Sequence, residues 1–197
     1  MKLPLVFTWP YFIAFWVVFI WAFAPEGKLL REARAGAEER GSKDKRSYHA
    51  IAYGNNVALI LGLLFPFIAH FATLPHPFIC YWSGIALIVI GSLLRRHCWR
   101  VLGEYFTGDV KAREGQPVIT RGAYRFVRHP SYTAGMIMFL GIGLANGNAL
   151  SVAVMLAIPF SLYLYRVSVE ERALTETIGE PYREYMRTHK RFVPFVI

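Results

Sequence analysis

The chain has 197 residues, of which 55% are apolar and 18% charged, and its formal net charge is +9. An ordinary soluble domain carries about a quarter charged residues, so a soluble globular reading is excluded at the outset. No nucleic-acid motif is evident, and the positive charge reads instead as attraction to anionic inner-leaflet lipid. Apart from Lys2, the charged side chains fall in three windows, 26–46, 95–128 and 166–191. The uncharged runs between them are 3–25, 47–94 and 129–165.

A bilayer crossing takes about 20 apolar residues per helix, so these runs hold one, two and two spans. The expected architecture is an all-α integral membrane protein of five helices, at 3–24, 50–73, 78–94, 133–146 and 149–165. The first span resembles a signal peptide in outline, with Ala22-Phe23-Ala24 at its end. Pro25 would directly follow the cut, and cleavage would send a strongly basic loop outward, so the span is expected to stay. The 26–46 connector mixes Glu, Lys and Arg with Ala and Gly, and reads as a solvated, partly helical cytosolic loop. Gly54-Asn55-Asn56 puts amides into the second span, where they bond to other helices or line a substrate tunnel.

Pro75-His76-Pro77 breaks the chain between the second and third spans. The third span leads into Arg95-Arg96-His97 and a loop-rich stretch punctuated by Gly103, Gly108, Gly115 and Gly122. Gly84 and Gly91, with Gly135, Gly141 and Gly143 further on, allow close helix approach. The fourth span is short for a full crossing, which leaves a tilted or re-entrant hairpin open. Asn146-Gly147-Asn148 is expected to fold it back onto the fifth, which Pro159 should kink. After it, Gly179-Glu180-Pro181 breaks a helical stretch that carries Tyr182, Tyr185 and Met186.

Lys and Arg counts set the orientation. The 25–49 loop holds seven, the 95–132 segment eight and the C-terminal tail six, while the 75–77 and 146–148 turns hold none. Basic connections alternate with neutral ones, which puts the N-terminus outside and the C-terminus in the cytoplasm. Cys80 and Cys98 form no Cys-x-x-Cys pair and read as packed or idle thiols. The six histidines have no ligand spacing, so no metal is expected.

Two polar motifs flank the last hairpin. In Arg128-His129-Pro130-Ser131-Tyr132, Pro130 suits the first turn of the next span and biases His129 out of helical geometry. His129 then stands at a helix entrance, where backbone N–H groups and the helix dipole favour a carboxylate. An interfacial cap with a snorkelling Arg128 is the other reading of the same residues. No Asp, Glu, Lys or Arg occurs in the 33 residues between Tyr132 and Arg166. Arg166 and Glu170 share a helix face at i,i+4 spacing, and Glu171 follows. Folding the hairpin brings both motifs to one membrane face, a place for chemistry between a soluble cofactor and a lipid-borne substrate.

These motifs carry a resemblance. Pro117-Val118-Ile119-Thr120-Arg121-Gly122-Ala123-Tyr124, then Arg128-His129-Pro130-Ser131-Tyr132, is similar to the isoprenylcysteine carboxyl methyltransferase family. So are Arg166-x3-Glu170-Glu171, Gly179-Glu180-x-Tyr182-x2-Tyr185 and Arg191-Phe192-Val193-Pro194. The match runs over about 116–197, and the first 95 residues match in hydropathy only. It implies S-adenosylmethionine in a cytosolic pocket roofed by the C-terminal segment, with a lipid substrate entering between helices. The cofactor contacts it implies are Gln116, Pro117, Val118, Ile119, Tyr124, His129, Pro130, Ser131, Tyr132 and Glu170. Gln116 and Pro117 depart from the family pattern, so support there is mainly backbone.

Arg166 would hold the group that receives the methyl, making Arg166 and Glu170 the expected catalytic pair. The 107–111 region should also border the cofactor. The chain is thus read as one membrane domain, 1–197, with a three-span part, 1–94, and a cofactor-binding and catalytic part, 95–197. Arg166 favours a carboxylate acceptor, as in a prenylcysteine. Phospholipid N-methylation, thiol S-methylation and, further off, an NADPH-dependent membrane reductase share some of these landmarks. A non-enzymatic adaptor or transporter is the remaining reading, but a transporter often shows repeated halves or mid-membrane ionisable groups, and neither is evident in this sequence.

Overall fold

The computed structural model describes residues 3–40, 45–106 and 115–194. Its helices are α1 (Tyr11–Arg40), α2 (Lys45–Ile68), α3 (Pro77–Leu102), α4 (Pro130–Ala145), α5 (Ala149–Ile178) and α6 (Glu180–Thr188). Short 3-10 turns at Leu5–Phe7, His70–Ala72, Gly103–Tyr105 and Gly122–Arg125 join or precede them. No strand occurs among the described residues, only isolated bridges pairing Thr73 with Asn148 and Val127 with Lys190.

Three expected boundaries move. The segment after Pro25 is not a loop at its start, because α1 runs through Pro25 to Arg40. Its Ala, Glu, Leu, Lys and Arg are strong helix formers, and their summed propensity carries the helix on. Likewise α3 continues through Arg95-Arg96-His97 to Leu102 and stops at Gly103, whose φ of +56° suits glycine. The second span ends early, at Ile68. The break at Pro75-His76-Pro77 stands, with Pro77 opening α3.

Among the described residues three helices are long and apolar enough to cross a membrane, at His49–Ile68, Pro77–Tyr105 and Ala149–Ile178. Tyr11–Gly27 and Pro130–Ala145 are shorter apolar helices. Together they make a multi-pass integral membrane protein. Val17, Ile20, Ile60, Ile90 and Leu93 lie exposed on the outside of the bundle, as lipid-facing side chains should.

The expected glycines do set the packing. A Cβ on Gly141 would sit 2.6 Å from the Gly84 carbonyl oxygen, and one on Gly91 2.8 Å from the Ala134 carbonyl oxygen. So α3 and α4 meet backbone to backbone, a contact that small residues permit in a membrane. The α4–α5 turn forms at Asn146-Gly147-Asn148 as expected. Gly147 has φ +67°, and Asn148 caps α5 by accepting from the N–H groups of Leu150 and Ser151 at 3.0 and 3.2 Å. Its Nδ2 donates to the Ala69 carbonyl (2.8 Å), tying the turn to the end of α2. In the first turn of α5, the Ser151 hydroxyl donates to the Gly62 carbonyl of α2 (2.6 Å). Phe15, Tyr81, Ile88, Met138, Ile142 and Met155 fill the core between α1, α3, α4 and α5.

Candidate functional site

His129 is the N-cap of α4 and Pro130 its first residue, so the helix entrance stands where the sequence puts it. The carboxylate there belongs to Glu171. One of its oxygens lies 3.1 Å from His129 Nε2 and accepts from Arg128 Nε and Nη2 at 3.0 and 2.8 Å. The other accepts from Arg191 Nε and Nη2 at 3.0 and 2.7 Å. Glu171 is buried, and a buried carboxylate is stable only when its lone pairs are met in this way. Arg128 is correspondingly pinned inward and does not snorkel. Its Nη1 donates to the carbonyls of Met186 (2.9 Å) and His189.

The chain after α6 is sewn to the chain before α4. The N–H groups of Arg128 and His129 donate to the Lys190 and Arg191 carbonyls at 2.8 and 2.9 Å. The Thr133 hydroxyl donates to the Phe192 carbonyl (2.8 Å), and the Tyr185 hydroxyl to the Tyr124 carbonyl (2.5 Å). Burial pushes the Tyr185 phenol up to about 12. Burial likewise raises the Tyr124 and Tyr182 phenols, with the nearby carboxylate of Glu170 adding to the effect in both.

Beneath this strap lies a cavity of about 370 Å³. One arm is bounded by Gln116–Ile119, Tyr124, Leu174, Ile178, Tyr182 and Tyr185. Its membrane arm runs between α1 and α2, past Phe19, Phe23, Ile51, Leu59, Met138 and Phe139. At the junction Tyr132 stands between two charges. Its hydroxyl donates to Glu170 Oε2 (2.9 Å), and the buried Arg166 lies within hydrogen-bonding reach of the same hydroxyl. Tyr132 therefore links the Arg166 and Glu170 expected to pair along the helix.

Of the residues expected at the site, Gln116, Pro117, Val118, Ile119, Tyr124, His129, Ser131, Tyr132, Arg166 and Glu170 all line this cavity. Pro130 does not, because it is buried within the first turn of α4. The 107–111 region lies outside the described residues. The cavity takes its walls from both halves of the chain, since α1 and α2 close its membrane arm.

Three features were not legible in the sequence as site features. Glu171 reads there as a second carboxylate beside Glu170, yet consecutive helical residues point about 100° apart, so the two face different partners. The second is an ion pair in the membrane arm. Glu26 accepts from Arg95 through both carboxylate oxygens, one at 2.8 Å from Nη2, while Arg95 Nη1 donates to the Ser131 carbonyl (2.7 Å). Only the uncommon sight of a Glu just past Pro25, at the end of an apolar run, signals it in sequence. The third is the pair Tyr182 and Tyr185, legible as an apolar face of α6 but not as pocket lining.

Among the described residues no group of three or more His, Cys, Asp or Glu is placed to hold a metal ion. The cavity wall carries a fixed cation in Arg166, a carboxylate in Glu170 and the phenol hydroxyls of Tyr124, Tyr132, Tyr182 and Tyr185.

The chain is similar to several known proteins. Residues 79–180 match the family model described as phospholipid methyltransferase. Protein-S-isoprenylcysteine O-methyltransferase B of Arabidopsis thaliana is 30% identical over 115 residues, which cover 57% of this chain and 58% of that protein. The Saccharomyces cerevisiae protein-S-isoprenylcysteine O-methyltransferase is 28% identical over 140 residues, 70% of this chain and 59% of that protein. The chain thus spans about three fifths of the length of these curated relatives. The fold is similar to that of the eukaryotic intramembrane Ras methyltransferase ICMT (isoprenylcysteine carboxyl methyltransferase). The TM-score is 0.59 at 19% identity, over 91% of this chain and 67% of that one. The resemblance carried by the C-terminal motifs is borne out. With most of α3 and all of α4 and α5 inside the matched region, the chain belongs to the phospholipid methyltransferase family.

Proposed function

We propose that this protein is an S-adenosylmethionine-dependent methyltransferase whose acceptor is the carboxylate of a lipophilic, prenylcysteine-like substrate. The observation that carries this reading is Arg166, buried at the junction of a water-facing and a lipid-facing arm and touching the Tyr132 hydroxyl. The cytosolic arm suits the cofactor in its chemistry. The backbone of Gln116–Ile119 and the rings of Tyr124 and Tyr182 offer a flat, half-apolar wall for a nucleobase, and the Glu170 carboxylate accepts from hydroxyl or ammonium groups. When bound, S-adenosylmethionine supplies a methyl group on a positively charged sulfur.

The remaining work falls to the chain's own groups. A carboxylate acceptor is ionised at neutral pH and needs no general base. It needs orientation, and a guanidinium is permanently charged with a fork that matches a carboxylate. Arg166 provides it, with Tyr132 holding the guanidinium side of the junction and Glu170 facing the cofactor. Holding donor and acceptor in line, with water kept out by the strap over 186–192, supplies much of the acceleration. The acceptor's hydrocarbon lies along Phe19, Phe23, Leu59 and Met138 in the membrane arm. The N-terminus faces outward and the C-terminus and cofactor arm face the cytoplasm, with five crossings.

Phospholipid methylation is the second reading, favoured by the description of the matching family model. An amine acceptor needs a group to take its proton, and Arg166 cannot. The test is transfer of labelled methyl, by the purified chain in lipid vesicles, to a prenylcysteine analogue, phosphatidylethanolamine and a small thiol. Label in the prenylcysteine analogue as a base-labile ester supports the proposal, and label in the amine lipid alone overturns it. Stabilisation by adenosylhomocysteine but not NADPH separates both from a reductase.

A further inference from the structure

The first turn of α4 is held from two sides. On one side Glu171 gathers Arg128 and His129. On the other, Arg95 of α3 reaches into the turn, and its Nη1 donates to the carbonyl and the hydroxyl of Ser131 at 2.7 and 3.1 Å. A helix N-terminus carries partial positive charge and disfavours a cation. Arg95 is tolerated there because Glu26 of α1 accepts from its Nε and its Nη2, the latter at 2.8 Å, and cancels the charge. Both side chains are largely buried, at 13% and 18% exposed. A buried ion pair is often no more stabilising than apolar residues of similar size, so stability alone does not account for this one.

α1 is itself fixed at this point. Pro25 has no N–H, which leaves the Trp21 carbonyl, four residues earlier, without its helical donor. Arg96 Nη2 supplies that donor (2.6 Å), with its guanidinium 4.6 Å from the centre of the Trp21 ring. Two consecutive arginines of α3 thus grip α1 on both sides of Pro25, and Arg95 passes the hold on to α4. The residue after Ser131 is Tyr132, whose hydroxyl donates to Glu170 and lies within reach of Arg166. A shift of the turn is carried to that phenol and so to the Arg166–Glu170 junction.

We infer that Glu26 and Arg95 are positioning residues for methyl transfer: the pair sets the first turn of α4 and, through Tyr132, the placement of Arg166 against Glu170. The inference rests on the methyltransferase reading of that junction. It adds a pair whose acidic member lies outside the 79–180 family match, on α1. The pair orients and transfers no proton.

The test separates position from stability, using the full-length chain in vesicles and whichever of the three acceptors takes the labelled methyl. Glu26→Gln alone and Arg95→Met alone each break a buried pair and should lower the melting temperature. The double variant, Glu26→Leu with Arg95→Met, puts apolar groups of similar size in both places and should bring it back. Turnover should not return with it. In the double variant kcat is expected to stay down by about tenfold, as a small misplacement of reacting groups causes, with the acceptor KM changed less than about twofold. In a Tyr132→Phe background the same two substitutions should lower kcat by less than about twofold, since effects that act through one group do not add. Arg96→Met, which releases Trp21 and not Ser131, should leave kcat within about twofold.

A double variant with an unmutated kcat overturns the inference and leaves the proposed function standing. A tenfold loss that is undiminished in the Tyr132→Phe background overturns it as well, because the pair then acts on the reactants directly. Where the double variant still melts low, the Tyr132→Phe comparison decides by itself. If no acceptor takes the methyl group, the proposed function falls and the inference falls with it.

Discussion

His129 Nε2 and Glu171 Oε1 lie 3.1 Å apart, both side chains buried, and this contact joins the entrance of α4 to the C-terminal part of α5. Arg128 and Arg191 complete the shell around the same carboxylate. One residue thereby holds the ring expected to border the cofactor and the strap that covers it.

Glu171→Gln should loosen this clasp. Removing one member of a buried charge cluster costs about 3–5 kcal/mol, so thermal unfolding in detergent should shift down clearly. Arg191 is more exposed, at 37% against 4% for Glu171, and an exposed ion pair is worth about 1 kcal/mol or less. Arg191→Ala should therefore cost much less. Equal losses in the two variants would contradict the assignment of Glu171 as the hub.

Arg166→Ala and Glu170→Gln should separate binding of the two reactants. The first should lower methyl transfer by about a hundredfold or more, in line with the loss of one charged group that positions a reacting anion, while adenosylhomocysteine still binds. The second should weaken adenosylhomocysteine binding measured calorimetrically. If the two variants behave alike in both assays, Arg166 and Glu170 do not divide acceptor and cofactor between them.

Gly84→Ala and Gly141→Ala should both destabilise the α3–α4 contact. Each new Cβ meets backbone of the facing helix, which has no flexible end to yield, and overpacking of this kind costs about 1–3 kcal/mol. Gly27→Ala, where a Cβ meets nothing within 4 Å, is the control. The readout is the melting temperature of the purified chain.

Alkaline pH should weaken the fold through the strap. The Tyr185 phenol is pushed up to about 12 from an ordinary 10.0, so the folded state keeps its proton where the unfolded chain has lost it. That contribution is complete below pH 10 and disappears as the pH rises toward 12. Stability measured across this window should fall with pH, and Tyr185→Phe should flatten the fall because the group no longer titrates. A slope identical in the variant would assign the effect elsewhere.

Much of this molecule follows from order along the chain. The spacing of uncharged runs predicts the helices, Pro130 predicts the start of α4, and Asn146-Gly147-Asn148 predicts the turn that returns α5 beside it. Those features are local: hydropathy, a missing N–H and a left-handed glycine act on their own neighbours. The ends of α1 and α3 are not legible in the same way. Charge there suggests loop, whereas helix propensity runs on through the charged residues, in α3 until Gly103 stops it.

What the sequence by itself determined is a set of apolar helices and two polar motifs brought to one membrane face by a hairpin. Which carboxylate meets His129, and the enclosure of Glu26, Arg95 and Asn55 in one cavity with Arg166, were decided only by the tertiary structure. Neighbouring carboxylates at 170 and 171 look alike in a string of letters. They differ only when the helix turns them toward different surroundings, and burial then makes Glu171 depend on donors supplied from distant parts of the chain.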